Sequence, residues 1–376
     1  MISMSSVAAA QVTTAPVSIR YVRIESWLGD LLLSDDVPCT GASEDQDASL
    51  RVPERLTFTV PALDAVYSWV PTSFASPLGA FGQRVRASLG IEIDNGQIEW
   101  VNRGWFVINT SSTDGDAVTV ECLGLLALVD EAVLANEYQP AAGQGIAAML
   151  RDLLEPGITI NDDAAPPDRV APATITFSDN RLDAVLSILD AWPATAAMDP
   201  GGFLAITDPP PLATAAAAVL HLTDDGGGTV INYGGSVTRE GAFNAVVAKG
   251  QYPDADATRA GQEILATAAD TDPNSPYRLG GPFSPYTVPY GYASPLMSTP
   301  LMVTKAAIST LRRLRRAASL TLRVTAAPHP GIQLGDVVTL TSARLGLNGA
   351  VGTIDAFTLP YHPDGGPMAL TVRLGV

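Results

Sequence analysis

The residues able to do chemistry are few and are not spaced for it. Three histidines, His221, His329 and His362, fall in no His-Glu-x-x-His pair and in no other metal-ligand spacing. His329 stands between two prolines and His362 precedes a Pro-Asp-Gly-Gly run, so both read as turn residues. No Gly-x-Ser-x-Gly elbow, phosphate loop or Gly-x-Gly-x-x-Gly follows a strand pattern. Cys39 and Cys122 match no zinc pattern and are too few for a disulfide framework, which leaves two buried or free thiols. The clusters Glu44-Asp45-Gln46-Asp47, Asp162-Asp163 and Asp224-Asp225 offer the oxygen ligands calcium prefers, but none has the spacing of a calcium loop. They read as solvated carboxylates in turns. A carboxylate pair for glycoside hydrolysis is a spatial requirement, and nothing in the chain selects such a pair. No catalytic residue, metal or cofactor is expected.

Leu311-Arg-Arg-Leu-Arg-Arg316 is the one concentration of positive charge in an acidic chain with 22 Lys plus Arg against 39 Asp plus Glu, a net charge of −17. Nucleic-acid binding would interleave aromatic residues for stacking, and the run has none. At helical spacing Ile308, Leu311, Leu314 and Ala318 face a core, while Arg312, Arg313 and Arg316 point outward. Those three arginines form either a solvated face or a subunit contact in which guanidinium forks meet a neighbour's carboxylates. The overall charge disfavours attraction to phosphate or an anionic membrane, though a wall of negative charge lets DNA slide past without sticking.

Most of the elements that position these groups are strands. Period-two alternation marks 17–25, 27–33, 55–60, 84–93, 97–109 and 117–123, with hairpin turns at Asp94-Asn95-Gly96 and Asp114-Gly115. The acidic, serine-rich stretch 40–49 reads as a mobile loop. The period then changes to 3.6: Ile146, Met149, Leu150, Leu153 and Leu154 form one helical stripe, and Leu182, Val185, Leu186, Leu189 and Trp192 a second, capped at Ser178-Asp179-Asn180. A hairpin about Pro200-Gly201-Gly202 completes a small α+β middle unit. Strands resume at 218–223, 230–239 and 242–249, a short helix is expected at 259–268, and 270–300 is a proline- and tyrosine-rich loop without periodicity. A helix from Lys305 to Ala318 runs into a strand at 319–325. Further strands follow at 337–340, 352–358 and 368–374, punctuated by the Gly335-Asp336 and Asp364-Gly365 turns.

The fold expected is mainly β with an α+β middle: two similar small antiparallel β-barrels plus a small helix-and-hairpin domain. Its divisions are an arm at 1–16, a first barrel at 17–128, the middle at 129–217, a second barrel at 218–250 with 301–376, and an insertion at 251–300. The arm reads as flexible or as a strand donated to a neighbour, and it lacks the cationic and apolar regions of a secretory signal. The longest apolar run, Leu212 to Leu220, is mostly alanine and too short to span a membrane. Glycine, alternating strand, Asp-Gly turn, Thr-Val strand and glycine recur in 104–124 and 352–375. This is the mark of either a duplicated barrel or two hairpins obeying one turn chemistry.

The C-terminal helix ending in a strand, the Leu-Gly-Asp turn and the closing strand pair resemble the barrel of phage tail-tip hub proteins. That family includes the baseplate hub of contractile tails and the tail-associated hub of long flexible tails. Leu56-Thr-Phe-Thr-Val60, Trp105-Phe-Val-Ile108 and Val118-Thr-Val-Glu-Cys122 are similar to its first barrel, and the likeness continues over 181–206 and 305–374. The resemblance implies a non-enzymatic structural protein of the virion tail, assembled in the host cytoplasm as a homotrimeric ring of six barrels. Such a ring joins the sixfold tail tube or distal tail protein to the threefold tip, spike or fibre protein, with DNA only in transit. It also implies that this chain, ending on the barrel, leaves wall digestion and receptor binding to other proteins. Two other classes remain: a carbohydrate-binding or adhesion protein using Trp69, Trp100, Trp105, Tyr286, Tyr290 and Tyr292, and a cell-wall hydrolase with an unrecognised carboxylate pair. Glycan binding would mark the first of these, and clearing of a cell-wall suspension the second.

Overall fold

Alternation of buried and exposed side chains builds the strands where the sequence places them. In β4 (Glu54–Pro61) Leu56, Phe58 and Val60 point inward, and in β5 (Gln83–Ile93) Val85, Ala87 and Leu89 do the same. The computed structural model describes residues 1–14, 19–64, 67–93, 96–171, 175–192, 194–208, 213–225, 228–236, 239, 241–252, 258–273, 275–317 and 320–374. Part of the expected Asp94-Asn95-Gly96 turn lies outside them, although Ile93 and Gln97 pair across it.

The N-terminal half comprises β1 (Ile19–Leu28), β2 (Leu31–Ser34), β3 (Gly41–Asp47), β4, β5, β6 (Gln97–Asp114) and β7 (Ala117–Gly124). The middle unit follows with α2 (Ala127–Asp130), α3 (Ile146–Leu154), β8 (Ile160–Ala164), α4 (Arg181–Ala191), β9 (Thr195–Met198) and β10 (Leu204–Thr207). Helices α3 and α4 bury the expected apolar stripes, with Leu186 left at the surface, against a β8-β10-β9 sheet. Asn180 caps α4 by accepting a hydrogen bond from the Asp183 amide at 3.1 Å. The C-terminal strands are β11 (Leu220–Thr223), β12 (Val230–Ser236), β16 (Thr321–Ala326), β17 (Val337–Ser342), β18 (Leu347–Pro360) and β19 (Met368–Leu374).

Both halves belong to one large sheet system ordered β12-β16-β19-β18-β3-β4-β7-β6-β5-β1-β2, with β17 pairing β18 and β11. The join is β3, which pairs antiparallel with β4 on one side and with the end of β18 on the other. Among the described residues neither half closes into a ring. The pairing is also not wholly antiparallel, because β11 runs parallel to β17. One apolar core runs beneath both halves, from Ile24, Leu56 and Phe58 to Val324, Leu340 and Val372.

The two halves repeat a pairing order: 3-4-7-6-5-1 in the first matches 12-16-19-18-17-11 in the second, except that the last strand runs antiparallel to β5 in the first half and parallel to β17 in the second. Each long hairpin has an irregularity at the same place, after Ile108 opposite Cys122 and after Ile354 opposite Val372. This register sets Cys122 against Val372, so the spatial repeat is offset by two residues from the Thr-Val match visible in the sequence.

Three stretches differ from expectation. Residues 41–47, read as a mobile acidic loop, are β3, because Glu44 is buried with partners while its neighbours face water. The N-terminal arm contains a helix, α1 (Ser6–Thr14), whose Ala8 and Val12 pack on Ile91 and Val101. The expected helix at 259–268 is instead β14 (Glu263–Ala269). It pairs with β13 (Ala245–Gln251), which also pairs with β15 (Pro289–Ala293) from the supposedly aperiodic loop. Helix α5 (Pro300–Ala317) covers this three-stranded sheet through Val303, Ala306, Ala307 and Leu311. Its buried stripe includes small alanines that permit close approach and leaves Ile308 exposed, contrary to the expected face; Ala318 lies outside the described residues.

Candidate assembly site at the seam between the halves

The alternation of β6 changes phase between Val101 and Phe106, both of which point inward. The register with β5 shows why: Ala87 faces Gly104 and Ser88 faces Asn102, which leaves Arg103 as the extra residue of a bulge. A bulge re-aims a side chain, and here it turns a guanidinium into the core beneath β3.

Arg103 meets Glu44 there, with both side chains at 0 % exposure. Its Nε donates to Glu44 Oε2 at 2.7 Å and Nη2 to Oε1 at 2.9 Å. The carboxylate also accepts from Tyr361 Oη at 2.7 Å and from Gln46 Nε2 at 2.6 Å. Arg103 Nη1 donates to the carbonyls of Pro330 at 2.6 Å and Ile332 at 2.9 Å. Strands β3 and β6 of the first half are thus tied to the 330–332 turn and the end of β18 in the second. A bidentate pair with its remaining sites filled is the arrangement that makes a buried charge tolerable. Burial alone would pull the Arg103 guanidinium down, but Glu44 and Tyr361 outweigh it and hold it above its ordinary value. Burial and the Glu44 charge push the Tyr361 hydroxyl well up. No substrate reaches groups sealed in this way, so the cluster works as a clamp.

The Gly335-Asp336 turn borders the clamp. Gly335 takes the left-handed conformation, φ +79°, as the tight turn requires. Asp336 accepts from the amide of Gln333 at 2.8 Å and from the terminal amine of Met1. Burial raises its carboxyl above the ordinary range, against the pull of that amine. His329 is buried beside them, accepts from the Gly331 amide at 3.2 Å, and is pushed down to about 4 by burial and by the nearby positive charges of Arg103 and the terminus.

One further acid lies near Glu44. Glu54 is half-buried as a residue, but its Oε2 is sealed without a hydrogen-bond partner among the described residues, in space left by the missing side chain of Gly124. Burial, assisted by Glu44, pushes its carboxyl up to about 7.

The other residues marked in the sequence are dispersed. Asp114-Gly115 turns the β6–β7 hairpin with Gly115 at φ +57°. Asp364 and Gly365 lie in a short 3-10 turn, Pro363–Gly365, and the left-handed position falls on Gly366, φ +82°. Arg312 is exposed on α5, Arg313 pairs with Asp190 of α4 in the same chain at 2.5 Å, and the side chain of Arg316 lies outside the described residues. Cys122 is buried and Cys39 half-buried, and burial pushes the Cys39 thiol up to about 11. Of the aromatic residues considered for sugar binding, Trp100 and Trp105 lie on β6, Tyr290 and Tyr292 on β15, and Trp69 and Tyr286 outside the strands. Trp69 is buried with its Nε1 on Asp64 at 2.8 Å, Trp100 lies under Arg23, Trp105 packs against the β9–β10 turn at Gly202, and Tyr290 lies against Phe243.

The middle unit is fastened to the first half by polar ties. Arg51 reaches Asp130 at 2.6 Å and Asp183 at 2.7 Å, and Asn102 Nδ2 donates to the Pro200 carbonyl at 2.8 Å. Sequence reasoning missed Glu44, Arg103 and Tyr361. The change of phase between Val101 and Phe106 was the available signal for a bulge.

No protein-family model and no curated protein sequence matches the chain. Solved structures do match it in fold along nearly its whole length. A tail protein from Neisseria meningitidis MC58 superposes with a TM-score of 0.62 at 12% identity, covering 94% of this chain and 96% of that one. The 43 kDa tail protein of prophage MuSo2 from Shewanella oneidensis gives 0.55 at 14% identity over 93% and 97%. An E. coli protein gives 0.50 at 9% identity over 94% and 77%; it is described as a type VI secretion system component structurally similar to the T4 bacteriophage tail proteins gp27 and gp5. The architecture is therefore that of the phage tail proteins. The expected likeness to tail hubs is met in overall fold, while the two closed barrels are not seen among the described residues.

Proposed function

We propose that this chain is the structural hub of a phage tail tip. Three copies form a ring that joins the sixfold tail tube, or a distal tail protein, to a threefold tip, spike or fibre protein, and DNA passes through the ring without binding stably. The observation that carries the reading is the pair of halves with one strand order, held at a fixed angle by β3 and the buried Arg103–Glu44 clamp. A threefold assembly of such chains presents six similar units. Each half is read as one barrel-like unit, with 17–128 as the first and the large-sheet strands of 218–250 and 301–376 as the second. The whole-chain likeness in fold to tail proteins supports a place in the virion tail, and assembly in the host cytoplasm is part of the same proposal. A net charge of −17 supports a weakly adhesive channel. The role is non-enzymatic: the most elaborate polar cluster is sealed from substrate, and the marked aromatic residues form no shared platform.

Sedimentation equilibrium of the purified chain tests this. A particle of about 117 kDa, three times the 39.1 kDa chain, is expected, alone or when tube protein is added. A monomer at high concentration under both conditions overturns the proposal.

A further inference from the structure

The in-chain junction between the halves predicts how one copy meets the next. Strand β18 uses its first part, Leu347–Thr353, to pair with β17, and its last part, Ala356–Pro360, to pair with β3 along the same side. Its counterpart β6 pairs with β5 through Gln97–Val107. Beyond that, residues 109–114 pair only with β7 and leave the other edge without a described partner strand. All six are exposed except Ser111, which is half-buried. Likewise β3 is paired on both sides, whereas among the described residues its counterpart β12 pairs with β16 alone and ends the sheet. Among the described residues an edge of β6, the acceptor, and the strand β12, the donor, are thus left over, and of the free edges of the large sheet, which also include β2 and β11, these are the equivalents of the two strands that join its own halves.

We propose that β12 of one copy pairs antiparallel with the 109–114 edge of β6 in the next, repeating in trans the β3–β18 junction. This rests on the hub reading above and names the surface by which its copies meet. The register follows from the positions already matched. Leu56 and Leu322 face Cys122 and Val372 through β4–β7 and β16–β19, so Glu44 corresponds to Gly235. From the hairpin irregularities Leu359 corresponds to Thr113. In the chain Leu359 faces Glu44 and Thr358 faces Asp45, so in trans Thr113 faces Gly235 and Ser112 faces Ser236.

The residue types fit such a contact. Unpaired strand edges recruit other strands, and this edge has no proline or lysine to deter them. Gly234 has open space where a side chain would begin and can let a second backbone approach, as glycines within strands commonly do, while the space beside Gly235 is filled by Leu322. The hydroxyls of Thr110, Ser112 and Thr113 are suited to a cross-strand contact, and the one charge of the edge, Asp114, falls at its end opposite Gly234. Because donor and acceptor are different surfaces, the contact is head to tail and closes into a ring if the rotation between copies permits.

Paired cysteines test it in the full chain: Ser112→Cys with Ser236→Cys, oxidised and run on a denaturing non-reducing gel beside each single variant and the unmodified chain. Covalent dimers and trimers in the double variant alone are expected, with the native mass in solution unchanged. A species that sediments as a trimer yet yields no intermolecular cross-link in the double variant overturns the edge pairing and leaves the hub reading intact. A chain that sediments as a monomer with or without tube protein overturns both. If the cysteines disturb folding, Thr113→Pro offers a second reading: it blocks the edge and should lower the trimer fraction at least tenfold while leaving the circular dichroism of the monomer unchanged. An undiminished trimer fraction overturns the pairing.

Discussion

Removing Arg103 should damage the molecule more than its position in the sequence suggests. Arg103→Leu leaves the Glu44 carboxylate at the seam without a counter-charge and strips donors from the carbonyls of Pro330 and Ile332. Breaking a buried pair from one side is worth about 3–5 kcal/mol. Taking about 4 kcal/mol, and an unfolding entropy of about 2.1 cal/mol/K per residue over 376 residues, the melting temperature should fall by about 5 °C. Differential scanning calorimetry is the assay, because one core underlies both halves and the seam should melt with them. Arg103→Leu combined with Glu44→Leu removes both charges and should recover about half of the loss. Recovery is incomplete because Tyr361 and the two carbonyls stay buried without their partners. A fall under about 1 °C for the single variant, or a double variant as unstable as the two singles added together, would refute the clamp.

Glu54 and His329 bracket the pH range of stability from opposite sides. Glu54 is held up at about 7 against an ordinary 4.5, so its neutral form suits the fold. Its contribution is complete below 4.5 and lost as pH rises through about 7, worth at most about 3 kcal/mol at about 1.4 kcal/mol per tenfold. Glu54→Gln should therefore flatten the decline in urea midpoint between pH 5 and pH 8, and an unchanged decline would count against it. His329, held down at about 4 against 6.5, is stable neutral. Stability should fall as pH drops from 6.5 towards 4, and His329→Gln should soften that acid limb. Asn180→Ala removes the α4 cap and should lower stability by about 1 kcal/mol in thermal melts, whereas Arg313→Ala, at a half-exposed ion pair, should change it by under about 0.5 kcal/mol.

The parts legible in the sequence were those where local pattern and tertiary context agree. The strands β4 to β7 and β16 to β19, and the helices α3 and α4, lie within a few residues of their expected places because their apolar faces are buried against the rest of the chain. Composition misled where charge is buried with partners. The stretch 41–47 has the acidity of a loop, yet Glu44 within it holds the two halves together. At 259–268 a short helix was expected, and pairing with β13 makes the stretch a strand instead. Arg103 was invisible as a site because its meaning depends on a bulge and on residues 59 positions earlier and 227 later. The repeated hairpin was recognised correctly as a feature, but its spatial register is offset by two residues, which only the irregularities at Ile108 and Ile354 reveal.

The central claim is that two like halves in each chain let three copies imitate sixfold symmetry. Electron-microscope averages of the assembled chain, viewed down the ring axis, test it most directly. Six lobes of similar density around an open channel, alternating in detail with threefold symmetry, are the predicted result. A ring of three lobes, or particles with no ring at all, would contradict it.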